Sequence, residues 1–235
     1  MSSSSSIIYS MGSIMIERKI TEKNGIAWKS NRDIATVFDD YVDQYDSDLE
    51  KWLYDAPEKA AKRLATRLPL NSRILDVGCG TGLVGVELSK VGFTHIHGWD
   101  ISLLSLREAR RKGPYRSLSL VDLHNASYML GMWISVKDQL YDGIICVGVL
   151  TYLEDIPQVL LRLIKLVRIG GEVELTQRSD MYKYHGLYKD LKAMVDEGLI
   201  SNLEITDPEP YLPKYEVYGE EVLVHYINFT VTGKR

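Results

Sequence analysis

A short apolar strand pattern that runs straight into a glycine-rich turn constrains the fold of this chain most. Arg73 to Val77 is rich in β-forming residues, and the chain continues at once as Gly78-Cys-Gly-Thr-Gly82 and then as an apolar helical pattern from Leu83 to Val91. Glycine has no Cβ, so such a turn bends tightly and lets backbone N–H groups approach a ligand. A strand, a glycine-rich turn and a helix in direct succession predict the first unit of an α/β fold with a ligand site at the turn.

The alternation of strand and helix patterns continues along the chain. Helical patterns cover 103–112, 156–167 and 184–195, and strand patterns cover 95–99, 118–121, 143–148, 173–176, 215–218 and 222–232. Together with 73–77 these predict seven strands. We therefore expect an α/β, Rossmann-like doubly wound sheet that is mostly parallel and closes on a C-terminal antiparallel strand. In such sheets ligands bind beyond the carboxyl ends of the strands.

The expected domain organisation is a flexible N-terminal tail (1–29) followed by one domain (30–235). Its first part (30–70) is expected to be a helical lid region. Ser30 to Asp33 has the form of a capping box, and an apolar stripe from Ile34 to Tyr45 predicts a helix after it. A second helix is expected from Ala56-Pro57 to about Pro69. The segment 124–139 has no clear period.

Charge and composition exclude several partners. The chain of 235 residues carries 28 Lys and Arg against 32 Asp and Glu, so its net charge of −4 gives no affinity for nucleic acid. Two cysteines predict neither a disulfide framework nor a metal site. No apolar stretch approaches the roughly 20 residues that cross a bilayer. We therefore expect a cytoplasmic protein with no membrane or nucleic-acid partner.

The glycine-rich turn is compatible with two nucleotide-like ligands. Gly80-Thr-Gly82-Leu-Val-Gly85 matches the dinucleotide fingerprint, and Asp100 lies at the distance expected of a ribose-binding acid, so an NAD-type oxidoreductase is one alternative. Asp76 comes just before the turn, where a carboxylate repels a pyrophosphate and attracts a cation. S-adenosylmethionine carries a sulfonium and an ammonium and has no phosphate. The charge of Asp76 therefore favours S-adenosylmethionine over NAD.

Five motifs spaced along the chain carry a family resemblance. They are Leu75-Asp-Val-Gly-Cys-Gly-Thr-Gly82, Gly98-Trp-Asp-Ile-Ser102, Leu120-Val-Asp-Leu123, Tyr141-Asp-Gly-Ile-Ile-Cys-Val147 and Arg168-Ile-Gly-Gly-Glu172. In this order they resemble the class I S-adenosylmethionine-dependent methyltransferases. Tyr41-Val-Asp-Gln-Tyr-Asp46, Tyr54-Asp-Ala-Pro57 and Leu175-Thr-Gln-Arg178 resemble, within that superfamily, the Williams–Beuren-region methyltransferase-like proteins.

The resemblance implies a set of residues that bind S-adenosylmethionine. Asp76 would lie near the ammonium, Asp100 would accept hydrogen bonds from both ribose hydroxyls, and Asp122 would accept from the adenine amino group. Backbone of the turn and of the fourth strand would contact the methionine part, Ile101 and Leu123 would pack on the adenine, and the first helix would cover the cofactor. The remaining residues of the set are Tyr45, Gly78, Cys79, Gly80, Cys146 and Val147.

Structural roles compete with these functional ones. Asp100 is also suited to cap the next helix, and Asp122 to end a strand in a turn. Cys146 is also a small residue for a core, and Tyr45 lies on a stripe that suits packing.

The sequence does not identify a catalytic residue. Tyr152, Arg178 and His185 follow predicted strands and are weak candidates, although Arg178 equally suits an ordinary ion pair. Methyl transfer depends chiefly on positioning, so a dedicated base is not required. We expect transfer to a small-molecule acceptor, with a protein side chain as second choice. The alternative of another class is a non-catalytic protein that binds the cofactor.

Overall fold

The computed structural model describes residues 6–11, 14–21, 25–28, 34–125, 140–215 and 222–233. The first three ranges are strands β1 (Ser6–Met11), β2 (Ile14–Thr21) and β3 (Gly25–Trp28), which pair in that order as an antiparallel sheet. These three strands lie within residues 1–29, for which a flexible tail is the prediction. The domain boundary at residue 30 stays a prediction.

Two helices precede the main sheet. Helix α1 (Ile34–Lys51) follows the predicted apolar stripe, and its predicted capping box lies outside the described residues. Helix α2 (Ala56–Ala65) has Pro57 in its first turn, where a missing N–H costs nothing. It ends at Ala65, four residues before the expected Pro69, and the Thr66 hydroxyl donates to the Arg63 carbonyl there.

The remaining elements alternate largely as predicted. They are β4 (Arg73–Val77), α3 (Leu83–Val91), β5 (His95–Asp100), α4 (Leu103–Lys112), β6 (Tyr115–Leu120), β7 (Tyr141–Cys146), α5 (Ile156–Leu163), β8 (Val167–Arg178), α6 (Ser179–His185), α7 (Leu187–Asp196), β9 (Ile200–Ile205), β10 (Glu209–Pro210) and β11 (Leu223–Val231).

These strands form one mixed sheet in the order β10-β11-β8-β7-β4-β5-β6, with β9 also paired to β11. The neighbours from β6 to β8 are parallel, and β11 is antiparallel to β8. The expected doubly wound sheet is confirmed, and the two-residue β10 brings its strands to eight. Because the chain runs outward from β4 through β5 to β6 and then returns to β7, the switch in strand order lies between β4 and β7. The carboxyl ends of these two strands open the crevice where such folds bind ligands.

The pleat of β4 divides its side chains between two cores. Ile74 lies in the apolar cluster formed with α2 and α3, whereas Leu75 and Val77 lie in the cluster formed with α5 and α7. All three are completely buried. Since β4 is buried on both faces, its carboxyl end is held rigidly, and the turn that follows inherits this position.

Several predicted boundaries differ from the structure. The predicted helix 184–195 is two helices, α6 and α7, separated by Gly186 at φ +63°. Strands β6 and β8 begin earlier than predicted, and β9 was not predicted at all. Residues 216–218, predicted as part of a strand, and 126–139, predicted as irregular, lie outside the described residues.

None of the described helices combines the length and the apolarity that a bilayer-spanning segment needs.

Candidate active site

A cavity opens at the carboxyl edge of the sheet, where the strand order switches. Its volume is about 830 Å³ including the solvent at its mouth. The turn after β4 and the ends of β5, β6 and β7 form its floor, and α1 lies over it. Seven of the predicted cofactor residues line it: Tyr45, Gly78, Gly80, Asp100, Ile101, Leu123 and Val147.

Asp100 is the carboxylate in the wall of this cavity. Its Oδ2 accepts from the Gly80 N–H at 2.7 Å and its Oδ1 from the Ser102 N–H at 2.8 Å. Burial raises the pKa of Asp100 above its usual range, while these backbone donors oppose the shift. The cap of α4 is Ser102, whose hydroxyl accepts from the Ser105 N–H at 3.0 Å. Asp100 therefore does not cap the helix, and its carboxylate holds the glycine-rich turn at the cavity wall.

Asp76 lies beneath the turn and not in the cavity wall. It is completely buried, and its Oδ2 accepts from the Tyr115 hydroxyl at 2.6 Å. Among the residues that the structure describes, none donates to Oδ1. Burial raises the pKa of Asp76 to about 7, the Asp100 charge adds to this, and the Tyr115 hydrogen bond opposes it. The expected place of Asp76 near a bound ammonium stays a prediction, and the structure places its carboxylate beneath the turn rather than in the cavity wall.

Three further predicted residues also lie outside the cavity wall. Cys79 is buried, and its N–H, like that of Gly78, donates to the Trp99 carbonyl, so both hold the turn onto β5. Cys146 is completely buried within β7. Asp122 accepts from the His124 N–H at 2.9 Å, the arrangement of a turn residue. At Asp122 this hydrogen bond fits the structural alternative, whereas the contacts expected of Cys79 and Cys146 use the backbone and stay predictions.

Of the three weak candidates for a catalytic role, one lines the cavity and two do not. Tyr152 lines the cavity, and its ring meets that of Phe38 edge-to-face at a centroid distance of 5.4 Å. Arg178 is buried and donates to both oxygens of Asp180, at 3.2 and 2.7 Å. His185 packs against Tyr184 at the end of α6. Neither Arg178 nor His185 lines the cavity.

Sequence reasoning did not identify how α1 is fastened. Asp39 accepts from the Ser102 hydroxyl and, at 3.2 Å, from the Leu104 N–H at the start of α4. Asp46 accepts from the Thr81 hydroxyl at 2.5 Å and pairs with Lys112. The two aspartates, seven residues apart, share one side of the helix, and this spacing is the signal that could have revealed them.

The other side of α1 faces the cavity. Ile34, Phe38, Val42 and Tyr45 recur at steps of four and three and line it. Val37 and Tyr41, from the same predicted stripe, are buried in the protein. The stripe thus serves two purposes, packing and covering the cavity.

Comparison with protein families identifies the chain. A family model described as a methyltransferase domain matches residues 41–206, well over half of the chain. The chain belongs to this methyltransferase family. The human Methyltransferase-like protein 27 is 34% identical over 176 residues, which cover 70% of this chain and 68% of that protein.

Further relatives agree with this assignment. A ubiquinone biosynthesis O-methyltransferase of Rickettsia conorii is 29% identical over 126 residues, covering 48% of this chain and 42% of that protein. The crystal structure of a magnesium protoporphyrin IX methyltransferase from Synechocystis PCC 6803 with bound S-adenosylmethionine superposes with a TM-score of 0.58 at 18% identity, covering 87% of this chain and 100% of that chain. The predicted resemblance and fold are confirmed, and the protein is a class I S-adenosylmethionine-dependent methyltransferase.

The charges around the methyltransferase cavity fit this cofactor. Asp100 is the carboxylate of the lining, and no Lys or Arg belongs to the lining within the described ranges. A sulfonium and an ammonium are attracted to such a wall. A Cβ built on Gly80 meets no atom within 4 Å, so this glycine leaves open the space that a ligand can fill. The search for metal sites in the described part of the chain finds no group of three or more potential ligands.

Proposed function

We propose that this methyltransferase acts on a small, largely apolar acceptor that carries a hydroxyl group. The observation that carries the proposal is the wall of the cavity beyond the end of β7, where Val149, Tyr152 and Leu153 face Phe38 of α1. Such a wall excludes water and accepts an aromatic or aliphatic frame. Relatives named as O-methyltransferases of ubiquinone biosynthesis and of the fungus Aspergillus nomiae support a hydroxyl as the acceptor group.

The cofactor lies, in this proposal, across the carboxyl ends of β4, β5 and β6. Asp100 would hold the ribose hydroxyls by charge-assisted bonds, with Ile101 and Leu123 on the adenine. Gly78, Gly80 and the Val147 backbone would flank the methionine part, beneath Tyr45. When bound, S-adenosylmethionine supplies an electrophilic methyl group on a sulfonium. Asp122 and Cys146 are assigned no contact with it.

The contribution of the protein itself is positioning and exclusion of water. The acceptor is held between the end of β7 and the underside of α1, close to the methyl group, and this can account for much of the rate enhancement. The Tyr152 hydroxyl is the group of this wall that can accept or pass on a proton. Burial raises the pKa of the neighbouring Tyr45 far above its usual range, so Tyr45 stays neutral and acts as a wall.

Partner and location follow from the same features. The acidic cavity and the net charge of −4 support a partner that is not nucleic acid. A protein side chain is the second candidate acceptor, because the mouth of the cavity is open to solvent. The free thiols Cys79 and Cys146 support a reducing compartment such as the cytoplasm.

Two measurements test the proposal. Calorimetric titration with S-adenosylmethionine, S-adenosylhomocysteine and NAD should give heat with the first two, and no heat with either would end the proposal. A metabolite extract incubated with methyl-labelled S-adenosylmethionine should then yield labelled, organic-soluble products. Binding without any methyl incorporation would favour the non-catalytic alternative, and label found only in protein would favour the side-chain acceptor.

A further inference from the structure

Tyr115, the first residue of β6, fills the space that three glycines leave open. A Cβ built on Gly85 would lie 2.3 Å from the Tyr115 ring, one on Gly98 2.9 Å and one on Gly82 3.2 Å from it. Distances below 3.0 Å are not tolerated between a Cβ and a rigid ring. Two glycines of the dinucleotide-like fingerprint, Gly82 and Gly85, therefore lie against this tyrosine, and their presence does not require a pyrophosphate.

The Tyr115 hydroxyl both accepts and donates a hydrogen bond. It accepts from the Gly85 N–H at 3.0 Å and donates to Asp76 Oδ2 at 2.6 Å. Gly85 lies in the first turn of α3, whose N–H groups are the donors that phosphates use at a helix N-terminus. One of these donors is already occupied by a neutral hydroxyl.

The hydrogen bond from Tyr115 determines the ionisation of Asp76. A buried carboxylate that loses its donor becomes neutral, because desolvation then acts unopposed. Asp76 has this one partner among the described residues, since its Oδ1 receives none there. Without the Tyr115 hydroxyl, the buried carboxyl beneath the turn would hold its proton at neutral pH.

We propose that Tyr115 is a positioning residue that favours the charged form of Asp76 beneath the glycine-rich turn, so that the turn selects a cationic cofactor over one that carries phosphates. The inference rests on the proposed binding of S-adenosylmethionine at this turn. The charge acts from beneath Gly78 without touching the ligand. It adds to that of Asp100, which is close enough to Asp76 to affect its pKa.

The other titratable groups that face Asp76 are Asp100 on β5, Cys79 in the turn and Cys146 on β7. Burial raises the pKa of both thiols and of the Tyr115 phenol, so these three stay neutral between pH 5.5 and pH 8. Asp100 is retained in every variant below. A difference in pH profile between wild type and a Tyr115 variant therefore reports on Asp76.

The test is the affinity for S-adenosylmethionine from pH 5.5 to pH 8, measured by calorimetry on the wild type and on Tyr115→Phe. We expect the wild-type affinity to rise with pH around 7. In Tyr115→Phe this rise should move up by about one pH unit, which is roughly a fivefold loss of affinity at pH 7. The amino group of the ligand titrates alike in both proteins. The uncharged nucleoside 5′-methylthioadenosine should bind both proteins with the same affinity at every pH.

Two further variants serve as controls. Tyr141→Phe removes the hydroxyl of a buried tyrosine that packs on His97, away from the turn, and should leave the profile unchanged. Asp76→Asn removes the charge directly, so its affinity should lack the rise near pH 7. Adding Tyr115→Phe to Asp76→Asn should weaken binding no further.

The outcomes separate this inference from the proposed function. If the wild type does not bind S-adenosylmethionine at all, the proposed function fails. If the wild type binds it and Tyr115→Phe keeps the wild-type pH profile, the inference alone is overturned. Should Tyr115→Phe not fold, Asp76→Asn decides: selective loss of S-adenosylmethionine over 5′-methylthioadenosine supports the inference, and equal loss of both overturns it.

Discussion

The Asp46 carboxylate on α1 accepts a hydrogen bond from the Thr81 hydroxyl in the glycine-rich turn, at 2.5 Å. The Lys112 ammonium pairs with the same carboxylate and donates to the Thr81 carbonyl at 2.8 Å. Helix α1, the turn and the end of α4 are thus joined at one point beside the cavity. We propose that this point holds α1 over a bound cofactor and slows its release.

Removal of this connection should speed cofactor release. We expect Asp46→Asn to raise the dissociation rate of S-adenosylmethionine about three- to tenfold, the effect of losing one charge-assisted contact. Stopped-flow displacement measures the rate. Asp43→Asn, on the exposed side of the same helix, should behave as wild type. A normal rate in Asp46→Asn would show that α1 does not gate the site.

The two acids at the ends of β5 and β6 should differ in importance. Asp100→Ala should weaken cofactor binding at least about tenfold without unfolding the domain, because it removes the carboxylate of the cavity wall. Asp122→Ala should change it less than about twofold, since Asp122 is bonded within its own turn. Calorimetry together with thermal melting tests both variants. An unchanged affinity in Asp100→Ala would remove the ribose assignment.

Two glycines of the turn should fail for different reasons when replaced by alanine. At Gly78, φ is +70° and the new Cβ would lie 2.2 Å from the Val149 side chain, so Gly78→Ala should lower the melting temperature. At Gly80, φ is +50°, so alanine is strained there too, but its Cβ would meet no atom within 4 Å. Gly80→Ala should therefore lower the melting temperature less than Gly78→Ala does and should also weaken cofactor binding. Partial recovery of stability in Gly78→Ala with Val149→Ala would identify the clash as the cause. No such recovery is expected when Val149→Ala is combined with Gly80→Ala.

Stability should depend on pH through Glu174, a completely buried residue of β8. Its Oε1 accepts from Arg63 at 2.7 Å, and burial raises its pKa from 4.5 to about 7 despite that arginine. The folded state therefore holds a proton that the unfolded state has lost. The stability contributed by this proton is complete below about pH 4.5 and falls as pH rises through 7.

Urea unfolding between pH 5 and pH 8 measures this dependence. The free energy of unfolding of the wild type should fall over this range. In Glu174→Gln this fall should be smaller, by an amount on the order of 2 kcal/mol. Glu204→Gln, which alters an exposed pair with Arg67, should keep the wild-type slope. If the free energy of unfolding of Glu174→Gln falls with pH as steeply as that of the wild type, the Glu174 carboxyl does not cause the pH dependence. Asp76 contributes in the same direction, so some decline should persist in the variant.

The sequence predicted best those elements whose ends are fixed by local signals. Helix α3 begins after Gly82 and ends at Gly92, both at positive φ, and its predicted bounds are those observed. Strand β9 was missed because, after the buried Ile200, its residues alternate between partly buried and exposed positions, with Asn202 and Glu204 exposed. This weak pattern is typical of the periphery of a sheet. Local signals in the sequence thus predicted helix ends more reliably than they predicted peripheral strands.

In the candidate site, too, features set by local signals were predicted better than features set by long-range packing. The positions of Asp100 and Gly80 follow from the strand ends, and both line the cavity as predicted. Which face of β4 carries Asp76, and which side chain meets it, depends on packing with a residue 39 positions away. That contact leaves no periodic signal in the sequence, so the position of the carboxylate beneath the turn could not be predicted.

The ring of Tyr115 has a consequence for how this turn can change over evolution. Because the three atoms nearest a Cβ at position 85 all belong to Tyr115, the residues at 85 and 115 are interdependent. A substitution to a small residue at 115 would make room for alanine at 85, and no alanine can precede it there. The glycine at position 85 therefore reflects a tyrosine elsewhere in the chain, and a homologue that lacks this tyrosine is free to replace that glycine while it keeps the same cofactor.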